Sequence, residues 1–412
     1  MNTISKERFS EWARARFDEV CQKGIDHWLW VAVLTTTGLL VGQWFGSLGI
    51  WQSIRYKIYQ IQTSKLHIRQ PFETRTIYVL IDDEEYWKGE PARRVPIKRD
   101  YVARLLCAVD KADPELIALD FDFRSPVPSG ELVENHDYQS ERDELLKAIL
   151  DVAHRRSIVI PKQIERTGGT YREQADIFRG FDFSPVKQNI FPGYIQLAND
   201  LRVIPPPIRV NGGEGDVLDS FALAIIHAID FDMYNQIVGR QNGRSEVNLG
   251  LGTFLDKASF ENYSVSAADV LAARPGILTR LGHKVVIIGG KWHERALGTG
   301  AWNDEHNTPA GRIIGAYVQG NYAEVLRTGN WTPAWSEVWA ILVELACVLG
   351  ASVVFSFKVG TIWKVAAAFI PSVLIMFASY VLYQNLGLFF DFFVPLTIIS
   401  AHAVTEHLQW KD

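Results

Sequence analysis

The chain has 412 residues, 48% of them hydrophobic, and 42 Lys and Arg against 47 Asp and Glu leave a net charge of −5. That length predicts two or more units, and without a basic stripe nucleic acid is excluded as a partner class. Cys21, Cys107 and Cys347 fall in segments predicted below to occupy different compartments, which excludes a disulfide framework.

Residues 1–27 form a polar leader in which Phe9, Trp12, Arg16, Phe17 and Val20 recur at helical spacing. The pattern predicts a juxtamembrane helix lying on the inner leaflet or docking a cytoplasmic partner. Residues 28–51 follow, uncharged and with tryptophans near both ends, as a membrane helix requires. Three more apolar runs close the chain at 335–357, 362–383 and 386–406, before a short tail at 407–412. Lys6, Arg8, Arg14, Arg16 and Lys23 of the leader, Lys358 and Lys364 of one joint, and Lys411 lie on one side if all four runs span. The positive-inside rule then places both termini in the cytoplasm and residues 52–333 outside. Glu344, inside a run, is costly in a membrane unless paired, so it is read either as hydrogen-bonded to Ser372 or Ser379 or as a transmitting residue.

The outer segment opens with "TIYVLIDDEEY", a β-rich run ending in Asp82 and Asp83. "RDYVARLLCAVDKAD" then predicts a helix with Asp100 as its N-cap and Val102, Leu105, Leu106 and Val109 on one face. "ELIALDFDF" supplies the next strand, residues 138–154 a helix, and "SIVIPKQ" a third strand. Alternating strands and helices predict an α/β domain with a mostly parallel sheet and flanking helices, set between one N-terminal and three C-terminal transmembrane helices. "GYIQLANDLRVIPPPIRV" reads as a hairpin turning at Asn199-Asp200, "DSFALAIIHAID" as a helix and "SEVNLGLG" as a short strand. "SAADVLAARPGILTRLGHKVVIIGG" runs from helix to strand, and a last outer helix is predicted over 308–327.

Open α/β sheets bind ligands beyond the carboxyl ends of their strands. Asp82, Asp83, Asp120 and Asp122 fall there, and period-two alternation places the last two on one face. With Arg99 and Asp304 they are the candidate ligand-binding residues. The alternative is that the acids only cap their loops or pair with Arg99 or Arg124. His293, Asp304, Glu305 and His306 are close enough in sequence to suggest a divalent cation, although no metal or cofactor is expected. "NGGEGD" reads as a surface turn, and the chain has no G-x-S-x-G, Walker loop or H-E-x-x-H.

Together "VLIDDEEY", "PIKRDYVARLLCAVDKADPELIALDFDF", "GYIQLANDLRVIPP", "SEVNLGLG", "GHKVVIIGG" and "NDEHNTPAGRIIGAYVQGNYAEVLRTGNW" resemble a CHASE2 domain followed by its three closing spans. Ile314-Gly315 and Gln319-Gly320 stand where that family often has Pro-Gly and His-Ala. The resemblance implies an extracytoplasmic sensor module of a bacterial inner-membrane receptor, not an enzyme. It would bind an unknown ligand or protein and signal to a separate cytoplasmic or membrane output protein. Oligomers are compatible with this reading. Arg327, Trp331 and Glu344 are the candidate signal-coupling residues. The competing expectations are a non-sensing scaffold subunit of a membrane complex and a metal-dependent extracytoplasmic hydrolase.

Overall fold

The computed structural model describes residues 49–61, 63, 73–91, 97–124, 136–210, 217–239, 251–293, 304–332, 373 and 376–382. The chain divides into two compact units, Met1–Tyr59 with Pro333–Asp412, and Gln60–Thr332. Of the first unit the structure describes the helix Gly49–Gln60 up to Tyr59 and a short helical stretch at 376–382. The four predicted spans lie almost wholly outside the described residues. Among the described residues no helix is long and apolar enough to cross a membrane.

The second unit is built on an eight-stranded sheet. In chain order its strands are β1 (Thr76–Asp82), β2 (Leu116–Asp120), β3 (Ser157–Lys162), β4 (Ile190–Tyr194), β5 (Ile208–Arg209), β6 (Val217–Ser220), β7 (Ser264–Ser266) and β8 (Val285–Lys291). Their order across the sheet is β7-β1-β8-β2-β3-β4-β6-β5, and every pair is parallel except β5 with β6. The expected α/β class with a mostly parallel sheet is what the domain adopts.

The helices are α1 (Asp83–Lys88), α2 (Arg99–Asp110), α3 (His136–Ala153), α4 (Phe221–Ile229), α5 (Phe231–Gly239), α6 (Lys257–Asn262), α7 (Ala267–Leu271), α8 (Ile277–Leu281) and α9 (Gly315–Thr328). Parallel strands covered on both faces carry near-continuous apolar runs, and the first six residues of β1 are all buried. Side chains alternate between two cores. Ile77, Val79, Ile81, Ile117, Leu119, Ile158, Ile160, Val286 and Ile288 join Val102, Leu105, Leu106 and Val109 of α2 and Leu145 and Ile149 of α3. Tyr78, Leu80, Ala118, Val159 and Ile287 take the other face, where α4 and α9 pack.

Three local expectations are corrected. Residues 193–210 are not a hairpin: β4 pairs in parallel with β3 and β6, and Asn199-Asp200 turns a loop that leads to β5. Among the described residues, short hairpins form instead at Ile164–Thr167 with Thr170–Glu173 and at Glu305–Thr308 with Gly311–Ile314. The last helix therefore starts at Gly315, seven residues after the predicted start, because Thr308 and Pro309 belong to a hairpin. Lys98, not Asp100, stands at the N-cap position of α2 and makes no side-chain capping bond; Asp100 sits inside the first turn and accepts from the Tyr101 amide (2.8 Å). Of the strand expected in "SEVNLGLG", Leu251–Gly252 is described, paired antiparallel with Trp331–Thr332. The turn at 211–216 lies outside the described residues.

Candidate functional site at the carboxyl edge of the sheet

The last strand in sequence, β8, inserts between the first two. Its register sets Gly289 between Leu80 and Asp120, and Lys291 beside Asp82. The carboxyl ends of β1, β8 and β2 thus form one edge, and the segments that leave it carry most of the candidate residues.

Asp120 is the most perturbed of them. Leu119 faces the α2–α3 core, so Asp120 faces α9. Gly289 confirms the direction: a Cβ added there would lie 3.1 Å from the Cβ of Ala316, in the first turn of α9, and 3.7 Å from that of Asp120. Among the described residues no hydrogen bond reaches the Asp120 carboxyl. Burial, and secondarily the negative charge of Asp304, push its pKa up to about 8.

Asp304 comes from the loop before the Glu305–Ile314 hairpin and adopts a left-handed backbone (φ 58°). Its carbonyl accepts from the Gly315 amide (3.0 Å), and its carboxylate bonds His306 Nε2 (2.8 Å). That carboxylate also lies over the start of α9, because a Cβ on Gly315 would come within 2.0 Å of Oδ2. Negative charge is favourable at a helix N-terminus, and α9 has no side-chain cap of its own. Two carboxyl groups therefore meet at the first turn of α9, one exposed and one desolvated. A lone desolvated acid beside a second acid is the kind of perturbed group that clusters at functional sites.

The other acids serve their own loops. Asp82 caps α1 by accepting from the Glu85 amide (3.0 Å), and Ser266 Oγ donates to it (3.3 Å). Asp83 accepts from the His293 amide (2.8 Å) and pairs with its Nδ1, tying the exit of β8 to the start of α1. β2 ends at Asp120, so the alternation does not extend to Asp122. That carboxylate turns back to the Arg124 amide (3.0 Å) and Nε (2.7 Å). Arg99 is buried on the α2–α3 side: its amide donates to Glu141 Oε2 (3.2 Å) and its guanidinium lies over the Tyr138 ring (3.9 Å). Burial lowers its pKa. The His293–His306 group divides into the Asp83–His293 and Asp304–His306 pairs, and Glu305 faces Arg312 (3.6 Å). Among the described residues no three side chains come together to hold a metal ion.

From this edge α9 runs back through the domain, buried from Gly315 to Leu326. A buried helix must pair its polar side chains. Gln319 donates to the Ile195 carbonyl (2.8 Å), Tyr322 to that of Leu201 (2.6 Å) and Asn321 to that of Thr253 (2.7 Å). Glu324 accepts from Thr76 Oγ1 (2.8 Å) and the Arg75 amide (2.7 Å) and pairs with Arg327. Gly320 gives Tyr78 its place, since a Cβ there would come within 2.3 Å of the phenol oxygen. Beyond the helix, Trp331 is held against Gly252. Glu344 lies outside the described residues.

Glu324 and Ser220 were not singled out by sequence, and Gly315 was named only as a departure from the family pattern. The signal that could have found Glu324 is its place with Gln319 and Asn321 among the apolar residues of "GAYVQGNYAEVLR", polar side chains that need hydrogen-bond partners once the helix is placed in the core.

A family model described as the CHASE2 domain matches residues 31–356, and the chain belongs to the CHASE2 family. CHASE2 domains are a family of extracellular sensor domains. No curated protein and no solved structure matches the chain.

Proposed function

We propose that the protein is a membrane-integral sensor. Its CHASE2 domain lies outside the bacterial inner membrane and binds an unidentified ligand or protein at the carboxyl edge of its sheet. The signal passes through α9 and Trp331 to the helices at 335–357, 362–383 and 386–406, and a separate cytoplasmic or membrane protein supplies the output. Both termini are cytoplasmic in this reading.

One observation carries it. α9 begins at the Asp120–Asp304 pair, is keyed by hydrogen bonds to four separate parts of the domain, and ends three residues before Trp331. Pro333 and the second predicted span follow directly in sequence. A ligand that alters the acid pair therefore acts on the first turn of the one helix that leads toward the membrane. Val373, Met376 and Phe377 are exposed large apolar side chains within the third predicted span, as a lipid-facing surface needs.

Two measurements test the reading. Cys107 is exposed in the domain, so in a Cys21→Ser/Cys347→Ser chain a membrane-impermeant maleimide should label it in intact spheroplasts. The reaction needs mildly alkaline buffer, because partial desolvation of the thiol raises its pKa. Labelling only after lysis would overturn the topology. Mass spectrometry of the tagged chain purified from native membranes should show a stoichiometric partner bearing an output domain. A clean preparation would overturn the split-receptor arrangement.

A further inference from the structure

α4 starts at the same sheet edge as α9 and packs on the same face. Register pairs Ser220, the last residue of β6, with Tyr194, the last residue of β4. Ser220 is also the N-cap of α4, with extended backbone (φ −65°, ψ 156°). A serine there ordinarily turns its oxygen onto the amide of the second or third helical residue. Ser220 does not. Among the described residues it makes no capping hydrogen bond, and its Oγ has no hydrogen-bond partner although the residue is only 1% exposed.

The first turn behind it, Phe221 to Ala224, is buried. A helix leaves its first N–H groups without intrahelical acceptors, and buried donors without acceptors are costly. At α9 the Asp304 carboxylate answers this positive end; at α4 no acidic side chain among the described residues does. Asp219, the adjacent acid, is committed elsewhere: Oδ2 to His227 Nδ1 (3.2 Å), in the last turn of α4, and Oδ1 to the Tyr234 hydroxyl (3.2 Å). The neighbouring strand offers no side chain either. Gly193 of β4 lies so close that an added Cβ would sit 2.8 Å from Phe221 Cα and 3.3 Å from its amide nitrogen. Bare backbone at a strand-to-helix junction, with second and third helical amides that have no intrahelical acceptor and an uncommitted hydroxyl, is a receptor for negative charge.

We propose that the N-terminus of α4 is an anion-binding site, in which the Ser220 hydroxyl and the first-turn amides receive an anionic oxygen group, a carboxylate or a phosphate. The role of this site as an input rests on the sensor reading, whereas its binding chemistry stands on α4 alone. The loop that leaves β4 beside it is already fastened to α9, through Gln319 on the Ile195 carbonyl and Tyr322 on that of Leu201. An anion seated at Ser220 thus acts on a segment whose other contacts are with the proposed output helix.

The test is thermal melting of the detergent-purified full-length chain against inorganic phosphate and against acetate, at constant ionic strength with chloride as the control. Saturable stabilisation by phosphate or by acetate, above chloride, is expected, and the active arm names the group. Ser220→Ala should weaken that response roughly tenfold, the scale of one hydrogen bond to a charged group. Ser220→Asp supplies its own carboxylate, so it should melt higher than the parent and lose the response. Absence of a saturable response to either anion, or an undiminished response in Ser220→Asp, would overturn the site. Asp120→Asn should retain the response. If the anion effect fails while Cys107 still labels from outside and the partner co-purifies, the anion site falls and the sensor reading stands.

Discussion

Replacing Asp120 with asparagine is expected to stabilise the domain, by an amount that grows with pH. Burial first, and Asp304 second, lift this carboxyl from the ordinary 3.8 to about 8. In the unfolded chain it ionises near pH 4; in the folded domain it keeps its proton to about pH 8. Between those limits the folded state holds the extra proton, so stability falls as pH rises, and the loss is complete above the folded pKa. Each pH unit in that window is worth about 1.4 kcal/mol at most. With solvent screening at the rim of the site, the cost by pH 7 is on the order of 2–4 kcal/mol. Asparagine keeps the shape and does not ionise. For a domain of this size the gain corresponds to roughly 5–15 °C in melting temperature. Circular dichroism melts of parent and variant, taken from pH 5 to pH 9, should show a gap that widens until pH 8 and then stays level. A gap of equal size at every pH, or a variant that melts lower at pH 8, would refute the reasoning. A fold keeps a destabilising acid at a sheet edge when the acid has another use.

Asp304→Asn should reproduce part of the Asp120→Asn effect in the same melts, since it removes the smaller of the two causes, and the two substitutions should be less than additive. Gly315→Ala forces its new methyl against the Asp304 carboxylate; a loss of about 1–3 kcal/mol is expected in urea titration, largely recovered in Gly315→Ala/Asp304→Ala. Glu324→Ala strips the acceptor from Thr76, the Arg75 amide and Arg327, and should cost about 2–4 kcal/mol by the same titration. An unchanged midpoint there would mean that α9 is not fastened at its carboxyl end.

Much of the fold was legible because it is local. The buried run of β1, the Val102–Leu105–Leu106–Val109 stripe and the apolar centre of β3 each carry their own periodicity, and the strand–helix alternation implies the parallel sheet. What was not legible is long-range. Nothing near Asp120 in sequence says that β8, some 170 residues later, will slide in beside it and bring α9 over its carboxyl. Strand-end position was therefore readable, desolvation was not. The shared face expected for Asp120 and Asp122 failed for the opposite reason: the strand stops two residues before Asp122, and Arg124 captures that carboxylate within its own loop, as the alternative reading of the acids had it. The segment at 193–210 failed because a turn signal at Asn199-Asp200 was taken to join partners, whereas β4 finds its partners in β3 and β6. Thr308-Pro309 similarly looked like a helix start and is the rim of a hairpin.

The placement of α9 bears on how a signal could leave the domain. An apolar helix buried on all sides is positioned by shape complementarity alone. α9 is different: Gln319, Asn321, Tyr322 and Glu324 are each matched to a particular carbonyl or donor. Its position is defined by a set of directional bonds that break together, and buried partners left unmatched are costly. Such a helix does not drift; it holds one position until something at its end changes the balance. The change available is electrostatic, because Asp304 and the protonated Asp120 sit against its first turn, where the helix dipole makes charge matter most. In the proposed reading, a ligand that adds, removes or shares a proton or charge there would alter α9 at the point where it is least held by hydrogen bonds, and would pass the change to the far end of the helix, which Trp331 follows.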